Sequence, residues 1–233
     1  MFFSWSEIGL YHKNNNEVNQ DVIITDENQD MMIAALCDGV SSCKYAREGA
    51  EIAGCSVSSF FADNHRKLVD YDSRTIATKT IAHVRYDLNK VAKTKDRDVS
   101  EYSSTVSAVL YDKKDGKLLC FNVGDAIIGG LTEGGVEILE KPQRGYKGCY
   151  VSTTRDVDRV ADVSVINAGN YKSVFICTDG MWKSFYDGIQ LSDDATKKIM
   201  EESYDELTND IQQNPEMDDR SIVVMKLRGE SAC

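Results

Sequence analysis

The chain has 233 residues, 42% hydrophobic and 28% charged, the composition of an ordinary soluble globule. Its formal charge of −11, from 27 basic against 38 acidic residues, disfavours nucleic acid and anionic membrane surfaces, since both need basic footprints. Two prolines and no glycine/serine-rich tract argue for one domain over residues 1–227, followed by a short polar tail at 228–233.

The start, Met1-Phe2-Phe3-Ser4-Trp5, lacks the basic region and long apolar core of a secretion signal. No apolar run approaches the roughly 20 residues that a membrane helix requires. Seven cysteines without a CxxC pair and only three histidines argue against a structural zinc site. Cys37 and Cys177 sit in apolar settings, as reduced thiols in a cytoplasmic compartment would.

In chain order, strands are predicted at Phe2 to Tyr11, Asp21 to Thr25 and Met31 to Leu36, the last two joined by a polar turn at Asp26 to Asp30. Ala46, Ala50, Ala53, Val57 and Phe60 then recur at helical spacing, as do Ala77, Ile81, Val84, Leu88 and Val91. Each stripe predicts a helix lying on a sheet. Thr105 to Tyr111 and Lys117 to Val123 read as a hairpin, extended as a meander by Ala126 to Leu131 and Val136 to Leu139. The pattern weakens from Lys141 to Asn170, as in a functional loop. A buried strand at Val174 to Thr178 follows, then one helix from Asp194 to Asn209 with Ser192 as its N-cap, and a final strand at Ser221 to Leu227. Strands interleaved with helices in this order fit sheets covered by helices.

Four of these segments place an aspartate at the end of an apolar run. Asp38, Asp125 and Asp179 follow theirs, and Asp218-Asp219 precedes one. Strands that bring such carboxylates together need a cation among them, because like charges that close cannot all stay ionised. An all-oxygen cluster suits Mg²⁺ or Mn²⁺. By pattern alone Asp218 and Asp219 are equally placed.

Six elements occur in order: Asn19-Gln20-Asp21, Asp38-Gly39-Val40, Ser104-Thr105, Val123-Gly124-Asp125, Thr178-Asp179-Gly180 and Asp218-Asp219-Arg220-Ser221. With this spacing the chain, from about Ser4 to Leu227, resembles the metal-dependent type-2C (PPM) protein phosphatases, especially their compact bacterial branch. The resemblance implies an α+β fold, a four-layer αββα sandwich of two antiparallel sheets with the site at one edge. It implies that Asp38 bridges two Mg²⁺ or Mn²⁺ ions, that the Gly39 carbonyl ligates one, and that Asp179 and Asp218 bind the other. Asp21 would lie at or beside the ligand sphere, and Asp125 would help hold a third, weaker ion. The reaction implied is hydrolysis of phosphoserine or phosphothreonine on a phosphoprotein, by a hydroxide held between the ions and without a phospho-enzyme. A serine/threonine kinase acting on the same substrates is the partner this implies.

The chain departs from the family at the position of a phosphate-gripping arginine, occupied here by Asn16, which leaves Lys13 as the nearest cation. An acidic residue that often precedes the first aspartate is Gln20 here, and Ser41-Ser42 replaces the usual glycine or histidine. Pro142 to Ala168 takes the place of the family's variable flap, and its Arg144, Lys147, Arg155 and Arg159 are candidates for receiving an anionic phosphopeptide. Two other readings follow from the same residues. Cys149 and Arg155 match the C-x₅-R spacing of cysteine-dependent phosphatases, but the bulky, β-branched loop between them suits a phosphate cradle poorly. The departures also allow a catalytically weak or inactive phosphatase fold serving as a regulatory binding module.

Overall fold

The computed structural model describes residues 1–143, 153–155 and 161–227. Arg144, Lys147, Cys149, Arg159 and the tail at 228–233 lie outside them. The described residues form two five-stranded antiparallel sheets. One sheet runs β2 (Asp21–Glu27), β3 (Met31–Asp38), β4 (Val106–Asp112), β5 (Lys117–Val123) and β8 (Asp162–Asn167). The other runs β1 (Phe2–Glu7), β10 (Arg220–Lys226), β9 (Tyr171–Cys177), β6 (Ile127–Thr132) and β7 (Val136–Glu140).

The inner strands β3, β4, β5, β9 and β10 are buried along nearly their whole length because both faces of each sheet are covered there. In β3, Met31, Ile33, Ala35 and Cys37 face α2 (Ala46–Leu68) and α3 (Ser73–Thr94), packing on Ala50, Ala53, Val57 and Phe61. Met32, Ala34 and Leu36 face the opposite sheet and meet Val174, Ile176, Val223 and Met225. In β9 and β10, Phe175, Cys177, Ile222 and Val224 turn outward to α5 (Asp193–Met200) and α6 (Tyr204–Gln212). The result is the four-layer α+β sandwich. Among the described residues no helix is long and apolar enough to cross a membrane.

Several boundaries correct the sequence reading. The first strand ends at Glu7, and Leu10–Asn14 forms a short helix, α1, instead of continuing it. The amides of Leu10 and Tyr11 are drawn to the carbonyls of Glu216 and Met217. The expected meander does not form, because the chain crosses between sheets at Gly124 to Ala126, and β6 pairs with β7 and β9 instead of β5. Gly124 turns there with φ +132°, and a Cβ on it would strike the Thr105 side chain at 2.5 Å. The flap segment gives up its C-terminal end to β8, whose alternating Val163 and Val165 pack under α3.

The single helix expected over 194–209 is two. Ser192 does cap α5, accepting from the Ala195 amide. Glu202, at φ 53°, and a Ser203 amide bonded to the Lys198 carbonyl then end it. At 100° per residue, an unbroken helix would swing Leu207 and Ile211 about 80–120° away from Ile199. The break brings all three back onto one buried face.

Candidate metal centre and active site

Strand parity sets the position of Asp38. It continues the Met32, Ala34, Leu36 face and so projects into the seam between the sheets at the end of β3. Asp21 pairs with it across the β2–β3 ladder and shares that face. From the other sheet, Thr178 donates its hydroxyl to Asp21 Oδ2 at 3.0 Å, tying the two sheets together beneath the site. Asp179 starts the one-turn helix α4 (Asp179–Trp182) directly after β9, and Asp218 stands two residues before β10. Asp125 occupies the crossover between sheets, its carbonyl held by Trp182 Nε1 at 2.7 Å. Asp38, Gly39, Asp125, Asp179 and Asp218 thus line one cleft of about 460 Å³, together with Ser103, Thr105, Thr153 and Arg155. A larger groove of about 840 Å³ adjoins it through Ser41 and Ser42, but it contains none of these aspartates.

Electrostatics mark Asp38 as the centre of the group. Burial, and then Asp21, Asp179, Asp218 and Asp125 in turn, push its carboxyl well above the usual range. Burial raises Asp21 to about 7 against the hydrogen bonds it accepts, with Asp219 adding to the rise. Burial and Asp179 raise Asp218 to about 6. One oxygen each of Asp21 and Asp179 is buried without a hydrogen-bond partner. Buried carboxylate oxygens that accept nothing are costly unless a cation takes their lone pairs. A hard divalent ion with oxygen ligands fits this donor set. Among the described residues no three such groups already stand as a closed ligand shell. Asp179 is instead held by Lys183, whose Nζ lies 2.5 Å from its Oδ2.

The backbone around Gly39 suits a ligand role. Gly39 and Ser104 face each other as an isolated bridge flanked by Thr105 N to Asp38 O at 2.8 Å and Val40 N to Ser103 O at 3.0 Å. The Gly39 carbonyl therefore stays out of the β3–β4 ladder. A Cβ at Gly39 would come within 2.7 Å of the Ala46 carbonyl carbon, so only glycine lets α2 begin this close. Thr105 accepts from the Asp38 amide at 2.9 Å, a structural role in keeping with its hydroxyl.

Asp218 and Asp219, indistinguishable by pattern, separate in space. Asp219 is 2% exposed and takes the amides of Gly9 at 2.7 Å and Gln20 at 2.6 Å, with His12 Nδ1 2.9 Å away. Its oxygens are used up in fastening β1, α1 and β2 to the start of β10, while Asp218 lines the cleft. Asp219→Ala is expected to cost about 3 kcal/mol of stability, since it strands two buried amides and a buried imidazole. Urea denaturation measures this, with Asp218→Asn as the variant whose midpoint should not fall. An unmoved midpoint in Asp219→Ala would mean that the junction is held by other groups.

Lys13 is not part of the cleft; its Nζ lies 3.9 Å from Glu7. Arg155 is the basic side chain that lines it among the described residues. Its guanidinium is anchored at the rim by donating to Ser100 O and Cys43 Sγ. Sequence reading missed Lys183, although its spacing of four from Asp179 is the signal of a helical ion pair. It also missed His12, whose loop position carries no such signal.

Comparison with solved structures agrees with this architecture. The serine/threonine phosphatase Stp1 from Staphylococcus aureus superimposes with a TM-score of 0.74 at 14% identity, over 98% of this chain and 95% of that one. A bacterial serine phosphatase gives 0.73 at 13% identity, over 99% of both chains. RsbX, solved in complex with magnesium, gives 0.56 at 13% identity, over 96% of this chain and 92% of its own. Among curated protein sequences none matches. A sequence profile of protein phosphatase 2C, however, matches residues 8–218. The chain therefore belongs to the protein phosphatase 2C family, and is a metal-dependent protein phosphatase.

Proposed function

We propose that the chain hydrolyses phosphoserine and phosphothreonine monoesters on proteins, with two divalent cations, Mg²⁺ or Mn²⁺, held in the seam cleft. Asp38 and the Gly39 carbonyl would hold one, and Asp38, Asp179 and Asp218 the other. Asp21 would brace Asp38 from behind, and Asp125 would attend a third, weaker ion. The observation that carries this reading is the convergence of Asp38, Asp125, Asp179 and Asp218 from both sheets on one cleft, with Asp38 crowded by like charge. Bound there, the cations supply the positive charge that makes water nucleophilic and neutralises the phosphoryl oxygens.

The chain's own residues set the geometry. The Thr105 hydroxyl and the β2–β3 ladder fix the Asp38 backbone, so its side chain starts from a set point at the end of β3. Arg155, poised at the rim, meets the phosphate of an incoming phosphopeptide, in place of the arginine missing at Asn16. Arg155→Glu is expected to lower kcat/KM for a phosphoserine peptide by about 10- to 100-fold, mostly through KM. Steady-state kinetics check this, and an unchanged KM would remove Arg155 from substrate binding. The five described cysteines carry free thiols, which supports a cytoplasmic setting.

The defining experiment measures hydrolysis of p-nitrophenyl phosphate and a phosphothreonine peptide with Mn²⁺, with EDTA, and after thiol alkylation. Turnover that requires Mn²⁺ and survives alkylation is the expected result. Alkylation-sensitive turnover in EDTA would favour a cysteine mechanism, and no turnover at all would favour a binding module. Burial pushes the thiols of Cys37 and Cys177 far up and Cys120 to about 12, so these three are poor nucleophiles.

A further inference from the structure

Lys183 stands at the edge of the aspartate cluster, where no part of the reading above uses it. Its ammonium lies 2.5 Å from Asp179 Oδ2, one helical turn away, and its charge is also felt by Asp218 and Asp125. The side chain is 44% exposed and lines a separate hollow with Phe185, Tyr186 and Ser192, outside the cleft. It is therefore not among the residues that line the cleft, although its ammonium touches one that does. The other oxygen of Asp179 is buried and accepts nothing.

We infer that Lys183 is a built-in counter-ion that a divalent cation must displace from Asp179, or repel if both remain. Lys183 then sets how tightly the Asp179 side of the cleft takes metal. This inference rests on the metal reading of the cleft. The physics is a competition at one carboxylate. In the metal-free protein a single positive charge relieves part of the repulsion among Asp179, Asp218 and Asp125. Once a doubly charged ion arrives, the same ammonium becomes a like charge at short range, and binding weakens. The lysine thus trades affinity for metal against order in the metal-free cleft.

The test is Mn²⁺ titration by calorimetry on the full chain, comparing wild type, Lys183→Gln and Lys183→Arg, with melting temperatures in EDTA and in saturating Mn²⁺. Lys183→Gln is expected to bind Mn²⁺ about threefold or more tightly, the scale of a half-exposed charge interaction. It should melt below wild type in EDTA and level with it in Mn²⁺. Lys183→Arg, which keeps the charge, should stay at wild-type affinity. A Lys183→Gln protein that folds only with Mn²⁺ would count in favour. Unchanged or weaker Mn²⁺ binding by Lys183→Gln, or an unchanged melting temperature in EDTA, would overturn the inference while leaving the phosphatase reading intact. No Mn²⁺ binding by any of the three proteins would overturn the metal reading and this inference with it.

Discussion

Replacing Asp38 with asparagine is expected to remove at least about a thousandfold of Mn²⁺-dependent turnover while leaving the metal-free protein as stable as wild type or more so. The two effects have one cause. Asp38 lies among four other carboxylates and is pushed well above the usual range, first by burial and then by those neighbours. In the absence of metal its charge is a liability, and an amide of the same shape relieves it. In the presence of metal the same charge would be the common anchor, worth several kcal/mol of transition-state stabilisation at about 1.4 kcal/mol per tenfold. Phosphopeptide kinetics and melting in EDTA measure the two sides. A variant that kept near-normal turnover would refute the assignment of Asp38. One that melted well below wild type would make the carboxylate a structural group instead.

The second large effect lies in how metal and pH act together on stability. Asp21 is raised to about 7 and Asp218 to about 6, both chiefly by burial, and Asp38 moves in the same direction. Unfolded, each would titrate near the ordinary 3.8. Between about pH 4 and 7 the metal-free folded state therefore holds protons that the unfolded chain has released. Stability carried by these groups is complete below about pH 4 and lost as pH climbs past 6 and 7, at about 1.4 kcal/mol per pH unit for each extra proton. Divalent metal reverses the preference, since it binds the ionised carboxylates and releases their protons. The gap in melting temperature between Mn²⁺ and EDTA should widen steadily from pH 5 to pH 8. A gap that stays constant across that range would show that these carboxylates are not where the metal binds.

Much of the candidate cleft's lining could be read from the chain because charge at the end of a buried run is rare without a reason. Asp38 ends one strand and Asp179 opens the helical turn just beyond another, and both strands are covered on their two faces, so the apolar pattern pointed to each position. Sheet membership did not follow. The crossover at Gly124 to Ala126 looks in sequence like any short turn, and only three-dimensional packing decides that β6 leaves its neighbour β5. The choice between Asp218 and Asp219 was equally hidden, because it depends on amides at Gly9 and Gln20 about 200 residues away. β8 was legible in its Val163 and Val165 alternation but was overlooked inside a segment rich in basic residues. Lys183 shows the opposite limit, where a simple local spacing carried information about a long-range cluster.

The placement of β10 has a consequence for how the protein comes into being. The strand is inserted between β1 and β9, joining the earliest segment of the chain to a late one, and the loop entering it supplies both Asp218 and the Asp219 clasp. A nascent chain can assemble β2 to β5 with their helices long before that stretch leaves the ribosome. Until then the cleft lacks one wall and the first strand lacks its neighbour. The candidate cleft is therefore complete only once β10 is seated between β1 and β9, since the approach to that strand carries Asp218.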